Sequence, residues 1–146
     1  VMAHKLEESE AKEMERVIFA SRNIMNSIKN FKGINNNLDE FDSSDSSYLN
    51  SQYKQFRKRL LELYHDIGRI MDLDNKGELY KSLIRTFIHV EEADRRFIEE
   101  TMAAVAGNKI QEMEISSLLL VNRLFNQACR LQVFSLKDLP GADQRF

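Results

Sequence analysis

Residues 83–105 read LIRTFIHVEEADRRFIEETMAAV and are the most informative stretch for the fold. Apolar side chains recur there in steps of three and four, which is the spacing of one face of an α-helix. The apolar members of this face are Leu83, Ile84, Phe87, Ile98, Met102 and Val105. The same steps pass through Glu91 and Asp94. Because a buried charge is costly unless it is paired, these two acids are the first candidates for a functional site.

The composition predicts one domain, residues 1–146, built from long helices. The chain has 146 residues, of which 42% are hydrophobic and 30% are charged, enough to bury a single core. Five glycines and one proline are few for a β-sandwich, which needs a turn about every ten residues. The net charge of -2 comes from 21 basic and 23 acidic residues without a long block of either sign. Nucleic acid is therefore not an expected partner.

The cysteine content and the apolar runs bear on the compartment. A single cysteine, Cys129, excludes an internal disulfide and favours the reducing cytoplasm. Apolar runs such as residues 118–121 are far short of the roughly 20 residues that span a bilayer, so this chain is not expected to insert into a membrane. The chain starts with Val1-Met2 rather than with Met, as expected of a piece of a longer protein.

The first predicted helix runs from about residue 6 to residue 32 and ends at Gly33. Residues 34–50 are rich in Asn, Asp and Ser, which favour turns and caps, so this segment is predicted to be one long loop. The expected core stripe of the first helix consists of Met14, Val17, Ile18, Ser21, Met25 and Ile28.

Three further helices are predicted, at about residues 49–71, 78–106 and 108–139, with a frayed tail at 140–146. Short connections between them make neighbouring helices antiparallel, which gives an all-α, elongated up-down bundle. The end signals are a turn at 74–77, a left-handed cap at Gly107, a capping box of Asn108 with Gln111, and Pro140-Gly141.

Glu91 and Asp94 admit two interpretations. The first is an internal ion pair or hydrogen-bond network, for which Arg22, Asn26 and Lys29 of the first helix are candidate partners. The second is a metal site of the carboxylate type. Bundles of that type use a Glu-x-x-His motif to place two ligands on one turn, and the predicted helix that carries Glu91 and Asp94 has none. No cofactor or metal is therefore expected.

Two helices carry apolar residues outside their expected core stripes. Phe19 on the first helix and Leu119 on the fourth both lie away from the stripe, and Leu119 has Asn122 and Asn126 as neighbours on that side. Such residues fit either an interaction surface for another chain or a second copy, or coverage within the four-helix packing itself.

No catalytic constellation is recognised in the sequence. The histidines, His4, His65 and His89, are scattered, and Cys129 has no histidine near it in sequence. Phosphate-binding loops, nucleophile elbows and kinase motifs are missing from the sequence. The chain is therefore not expected to be an enzyme.

Two stretches carry a family resemblance. Residues 16–41, RVIFASRNIMNSIKNFKGINNNLDEF, resemble the start of the PhoU-like cytoplasmic domain at the C-terminus of bacterial sodium-dependent phosphate (Na/Pi) cotransporters. Residues 114–139, EISSLLLVNRLFNQACRLQVFSLKDL, resemble the last helix of that domain. The resemblance implies a helical PhoU-like bundle on the cytoplasmic side of the inner membrane, attached to a phosphate symporter.

The resemblance also implies how such a domain works. It is expected to regulate or assemble the transporter without catalysis, through helix-face contacts with the transmembrane domain or with a second copy in a homodimer. A freestanding PhoU-like phosphate-signalling adaptor and a carboxylate-based metal-binding bundle are the two alternatives.

The chain departs from the PhoU pattern at one place. PhoU proteins carry metal clusters on acidic Glu-x-x-x-Asp motifs of facing helices, whereas the matching residues 22–26 read RNIMN here. The strip formed by Arg22, Asn26 and Lys29 is better suited to acids or an anion than to a cation, so the resemblance does not extend to a metal cluster.

Overall fold

The computed structural model describes residues 2–138 and places them in four α-helices. The helices are α1, Met2–Ser43; α2, Ser47–Met71; α3, Lys76–Ala106; and α4, Glu112–Lys137. No strand occurs within residues 2–138. The predicted all-α bundle is therefore confirmed. The predicted tail at 140–146 lies outside the described residues.

The first helix is longer than predicted and passes through Gly33 without a break. Ile34 and Phe41 are only 1% and 3% exposed, so the buried face of α1 continues through the Asn-rich segment. Burial of these two side chains outweighs the weak helix propensity of the intervening asparagines, because packing contributes more than propensity to helices in proteins. The predicted loop at 34–50 is wrong, and the actual connection covers residues 44–46.

α3 ends at Ala106 as predicted, but the residues that cap the end of α3 and the start of α4 differ from the predicted ones. Gly107 is not left-handed, with φ −87°, whereas Asn108 is, with φ 53°. The amide of Lys109 donates to the carbonyl of Ala104 at 2.9 Å, which makes this end a Schellman motif with asparagine at the left-handed position. The capping box lies about one turn later than predicted, because Gln111 caps α4 and its backbone N–H donates to the Glu114 carboxylate at 3.2 Å.

Buried positions recur every seven residues on each helix. This period, slightly shorter than two turns of a straight α-helix, is typical of helices that pack lengthwise in a left-handed bundle. The positions are Ala20, Ser27, Ile34 and Phe41 in α1; Leu49, Phe56, Leu63 and Ile70 in α2; Leu83, Val90, Phe97 and Ala104 in α3; and Val121, Ala128 and Ser135 in α4.

The pair formed by α1 and α4 is the most extensive helix contact in the described chain. Ser27 Oγ donates a hydrogen bond to the carbonyl oxygen of Ala128 at 2.9 Å, and both residues are fully buried. Side chains as small as these allow the two backbones to approach closely. Ala20, seven residues before Ser27, and Ser135, seven residues after Ala128, are also small and buried.

α1 therefore carries two different apolar faces. We call the set Ala20, Ser27, Ile34 and Phe41 the inner seam, and the set Met14, Ile18, Ser21, Met25 and Ile28 the outer seam. The outer seam together with Val17 was the predicted core stripe, and that prediction is wrong, because these residues are exposed, Met25 by 68%. The inner seam is buried instead, because Ala20 and Ser27 are small enough to fit closely against α4. Every described side chain from Lys5 to Phe19 is exposed.

Within the part of the chain that the structure describes, none of the four helices combines the length and the apolar content needed to cross a bilayer.

The continuity of α1 can be tested at Gly33, where an added Cβ would meet no atom within 4 Å. We expect Gly33→Ala to raise the free energy of unfolding by about 0.5–1 kcal/mol, since alanine is the better residue inside a helix. Gly68→Ala, inside α2 and equally unobstructed, serves as the matched control and should give the same gain in urea denaturation. A loss of stability at Gly33 alone would instead indicate a left-handed helix end there.

Candidate functional site

Glu91 and Asp94 lie on the side of α3 that faces α4, next to the buried positions Val90 and Phe97. Glu91 accepts two hydrogen bonds from Arg130 of α4: its Oε1 accepts from Nε, and its Oε2 accepts from Nη2 at 2.7 Å. A bidentate pair of this kind fixes both the distance and the orientation of the two side chains. The Glu91 and Arg130 side chains remain 34% and 41% exposed, so the pair lies at the edge of the core.

Asp94 belongs to a chain of hydrogen bonds through three helices. Its Oδ1 accepts from Nδ2 of Asn122 in α4 at 2.6 Å, and Oδ1 of Asn122 accepts from Nη1 of Arg59 in α2 at 2.8 Å. Asn122 is only 3% exposed, and its amide uses both its donor and its acceptor here. We call Arg59, Glu91, Asp94, Asn122 and Arg130 the polar layer.

Arg59 is held on aromatic as well as polar groups. Its guanidinium carbon lies 4.8 Å from the centre of the Phe125 ring and 5.4 Å from that of Phe56. Burial lowers the pKa of Arg59, although the nearby charge of Asp94 opposes this change. Hydrogen bonding to Glu91 raises the pKa of Arg130. Both arginines keep their positive charge, because an arginine pKa starts from a very high value.

Cys129 lies close to Arg59 in the interior and is 3% exposed. Burial raises the pKa of its thiol to about 12, and the positive charge of Arg59 only partly opposes this. Because the thiolate is the nucleophilic form, the thiol of Cys129 is unreactive at neutral pH.

The structure does not bring the predicted partners Arg22, Asn26 and Lys29 to the two acids. All three are exposed on α1, and the acids instead pair with side chains of α4 and α2. The physical reason is the packing order, since α3 packs on α4 and α2 but has no substantial contact with α1. The predicted set is therefore corrected to the polar layer defined above.

The predicted interaction surface is also only partly exposed. Phe19 is 59% exposed, but Leu119 is half-buried against the core and both Asn122 and Asn126 are buried. The prediction of a surface at these three α4 residues is wrong, because α4 packs against α1 on one side and α3 on another.

Sequence reasoning missed the two arginines of the polar layer. Asn122, Asn126 and Arg130 follow each other in steps of four on α4, which places them in one row along the helix. This polar row interrupts an otherwise apolar helix, and Glu91 and Asp94 interrupt the apolar face of another. The two interruptions together could have predicted that α3 packs against α4. Arg59 gave no such signal, because its neighbours Lys58 and Glu62 are ordinary exposed residues.

A groove of about 510 Å³ lies between α2 and α3 beside the polar layer. Charges of both signs line it. The basic residues include Lys58, Arg59 and Arg96, and the acidic residues include Glu62 and Glu92. His89 Nδ1 lies 3.6 Å from a carboxylate oxygen of Asp66 at its edge, and His65 Nδ1 lies 3.9 Å from the other.

The two acids were also candidates for a metal site, which the side chains that the structure describes can test. Among them, no three histidine, cysteine or acidic side chains come together as a metal site would require. Glu91 and Asp94, the candidates from the sequence, are engaged by Arg130 and Asn122. Comparison with protein-family models, with curated proteins and with solved structures gives no match.

The ion pair of the polar layer should be measurable in a double-mutant cycle. We expect Glu91→Gln and Arg130→Met to show a coupling of about 1 kcal/mol in unfolding free energy, because the pair is bidentate and half-shielded. The exposed pair Lys58 and Glu62, 4.0 Å apart on α2, is the control and should couple by at most about 0.5 kcal/mol. Equal couplings for the two pairs would contradict the geometry.

The buried thiol should make stability depend on alkaline pH. The pKa of Cys129 is about 12 in the fold against an ordinary 9.0, so its contribution to stability is complete below pH 9 and is lost as the pH rises towards 12. We expect the stability difference between the parent protein and Cys129→Ala to shrink over this range. Urea denaturation at pH 8 and at pH 10 measures it, and a difference that stays constant would contradict the burial.

Proposed function

We propose that this chain is a non-enzymatic assembly domain that works through contacts made by exposed helix faces. The observation that carries the proposal is the outer seam of α1. Met14, Ile18, Met25 and Ile28 are between 48% and 68% exposed along four successive turns. Val17 and Ile24 widen the same face and are 41% and 39% exposed. Contiguous apolar surface on a helix is typical of a site that binds another protein surface.

The polar layer supports a structural role for the charged groups near the core. Each acid of the layer accepts hydrogen bonds from a side chain of α4, and Asn122 joins the second acid to α2. These groups orient one another and hold three helices in register. The buried thiol of Cys129 is protonated, as a packing residue would be.

The resemblance of residues 16–41 and 114–139 to PhoU-like domains supplies the partner in this proposal. The first stretch contains most of both seams of α1, and the second contains most of α4, so the two stretches form the main helix contact of the bundle. The chain would then act as the cytoplasmic domain of a sodium-dependent phosphate transporter. Its outer seam would dock on the transmembrane part or on a second copy.

The proposal is tested first on the gene and then on transport. The reading frame upstream of Val1 is expected to encode apolar spans, and the encoded protein is expected to give sodium-dependent uptake of radiolabelled phosphate in cells that lack their own transporter. A frame without spans would leave a freestanding adaptor and would overturn the transporter assignment.

The docking face is tested in the same uptake assay. We expect Ile18→Asp and Met25→Asp to change sodium-dependent phosphate uptake, because a charge on the outer seam opposes apolar docking. Both positions are exposed, so the bundle should still fold, which circular dichroism verifies. Met113→Asp, at an apolar residue that is 85% exposed on α4, is the matched control and should leave uptake unchanged. Unchanged uptake in both seam variants would contradict the proposal.

A further inference from the structure

We propose that the outer seam binds the outer seam of a second copy in an antiparallel arrangement, so that two α1 helices form the contact between protomers. This inference rests on the proposed function and names the partner for its docking face. Three features of α1 support it: the spacing of the seam, the distribution of charge along one edge, and the apolar character of the other edge.

The spacing of the outer seam is that of a coiled-coil contact. Its members follow each other in steps of four, three, four and three, the a and d positions of two heptads. In an antiparallel pair with Ile18 of one copy level with Ser21 of the other, Met14 falls level with Met25. Ser21 does not add an unpaired donor to such a contact, because its hydroxyl donates to the carbonyl of Val17 at 2.8 Å.

Charges along one edge of the seam are complementary only when the helices are antiparallel. Glu15 and Arg22 are both exposed, lie seven residues apart, and occupy the same flanking position. In the antiparallel register, Glu15 of each copy faces Arg22 of the other, which gives two opposite-charge pairs. Lys32 and Glu7 extend the seam at its two ends and also fall level with each other. A parallel pair would instead bring Glu15 towards Glu10 of the second copy, and these like charges repel.

The other edge of the seam is apolar. Val17 and Ile24 lie there, and the same antiparallel register brings Val17 of one copy towards Ile24 of the other. A contact of about four helical turns is at the small end of specific interfaces, so a dissociation constant in the micromolar range is expected. Tethering of both copies to one membrane would raise their effective concentration and favour the pair.

Charge reversal provides the test, because each single variant should associate weakly with itself, whereas the two variants should associate with each other. Glu15→Arg leaves two positive charges at positions 15 and 22, and Arg22→Glu leaves two negative charges there. Each variant alone is expected to raise the dimer dissociation constant about tenfold in sedimentation equilibrium, because both pairs become repulsive. An equimolar mixture of the two should associate as well as the parent chain does. The double variant, with Glu15→Arg and Arg22→Glu on one chain, should also recover the dissociation constant of the parent chain.

Control variants carry the same charge changes off the seam. Glu13 and Lys12 lie on other sides of α1 and are also exposed, so Glu13→Arg and Lys12→Glu should leave the dissociation constant unchanged. Ile18→Asp should abolish association while circular dichroism stays unchanged.

The results separate this inference from the proposed function. The antiparallel pair is overturned if the parent chain stays monomeric at high micromolar concentration. It is also overturned if charge reversal at positions 15 and 22 leaves the dimer dissociation constant unchanged. If Ile18→Asp still changes phosphate uptake in that case, the seam docks on another part of the transporter and the proposed function stands. Association that follows the charges, with no effect on uptake, supports the pair and contradicts the transport role.

Discussion

The close contact between α1 and α4 is the constraint on which the rest of the molecule depends. Two helices can approach this closely only where small side chains meet, and Ser27 against Ala128 satisfies that condition with a hydrogen bond as well. Because buried residues recur at every seventh position on both helices, the contact runs along their length. It also determines the orientation of α1, since burying the inner seam turns the outer seam to solvent.

The polar layer adds specificity that apolar packing alone does not supply. Leucine, isoleucine and phenylalanine contacts tolerate small rotations of a helix, whereas the bond chain from Asp94 through Asn122 to Arg59 requires one rotation of each helix. A mispaired arrangement would leave the Arg59 charge buried without a partner, which is costly. The polar layer therefore complements the contact between α1 and α4, because it orients α2 and α3 on α4.

Sequence patterns were sufficient for the fold class and for most helix ends, but not for the choice between two faces of α1. The outer seam is the more apolar face, and Ala20 and Ser27 attract no notice in a hydropathy pattern, so periodicity alone selected the wrong one. Likewise Gly33 predicted an end that tertiary packing of Ile34 and Phe41 overrode. Glu91 and Asp94 were recognised as costly to bury, but their partners depend on which helices are neighbours, and that information is not local.

Side-chain volume grows along the inner seam from alanine and serine to isoleucine and phenylalanine. Sliding α1 by one heptad, a shift of about 10 Å, would therefore never recreate the same fit. In one direction Ile34 would collide with the backbone at Ala128, and in the other Ser27 would leave a void opposite Val121. The residues of the inner seam are equally spaced but differ in volume, so α1 can pack along α4 in only one register.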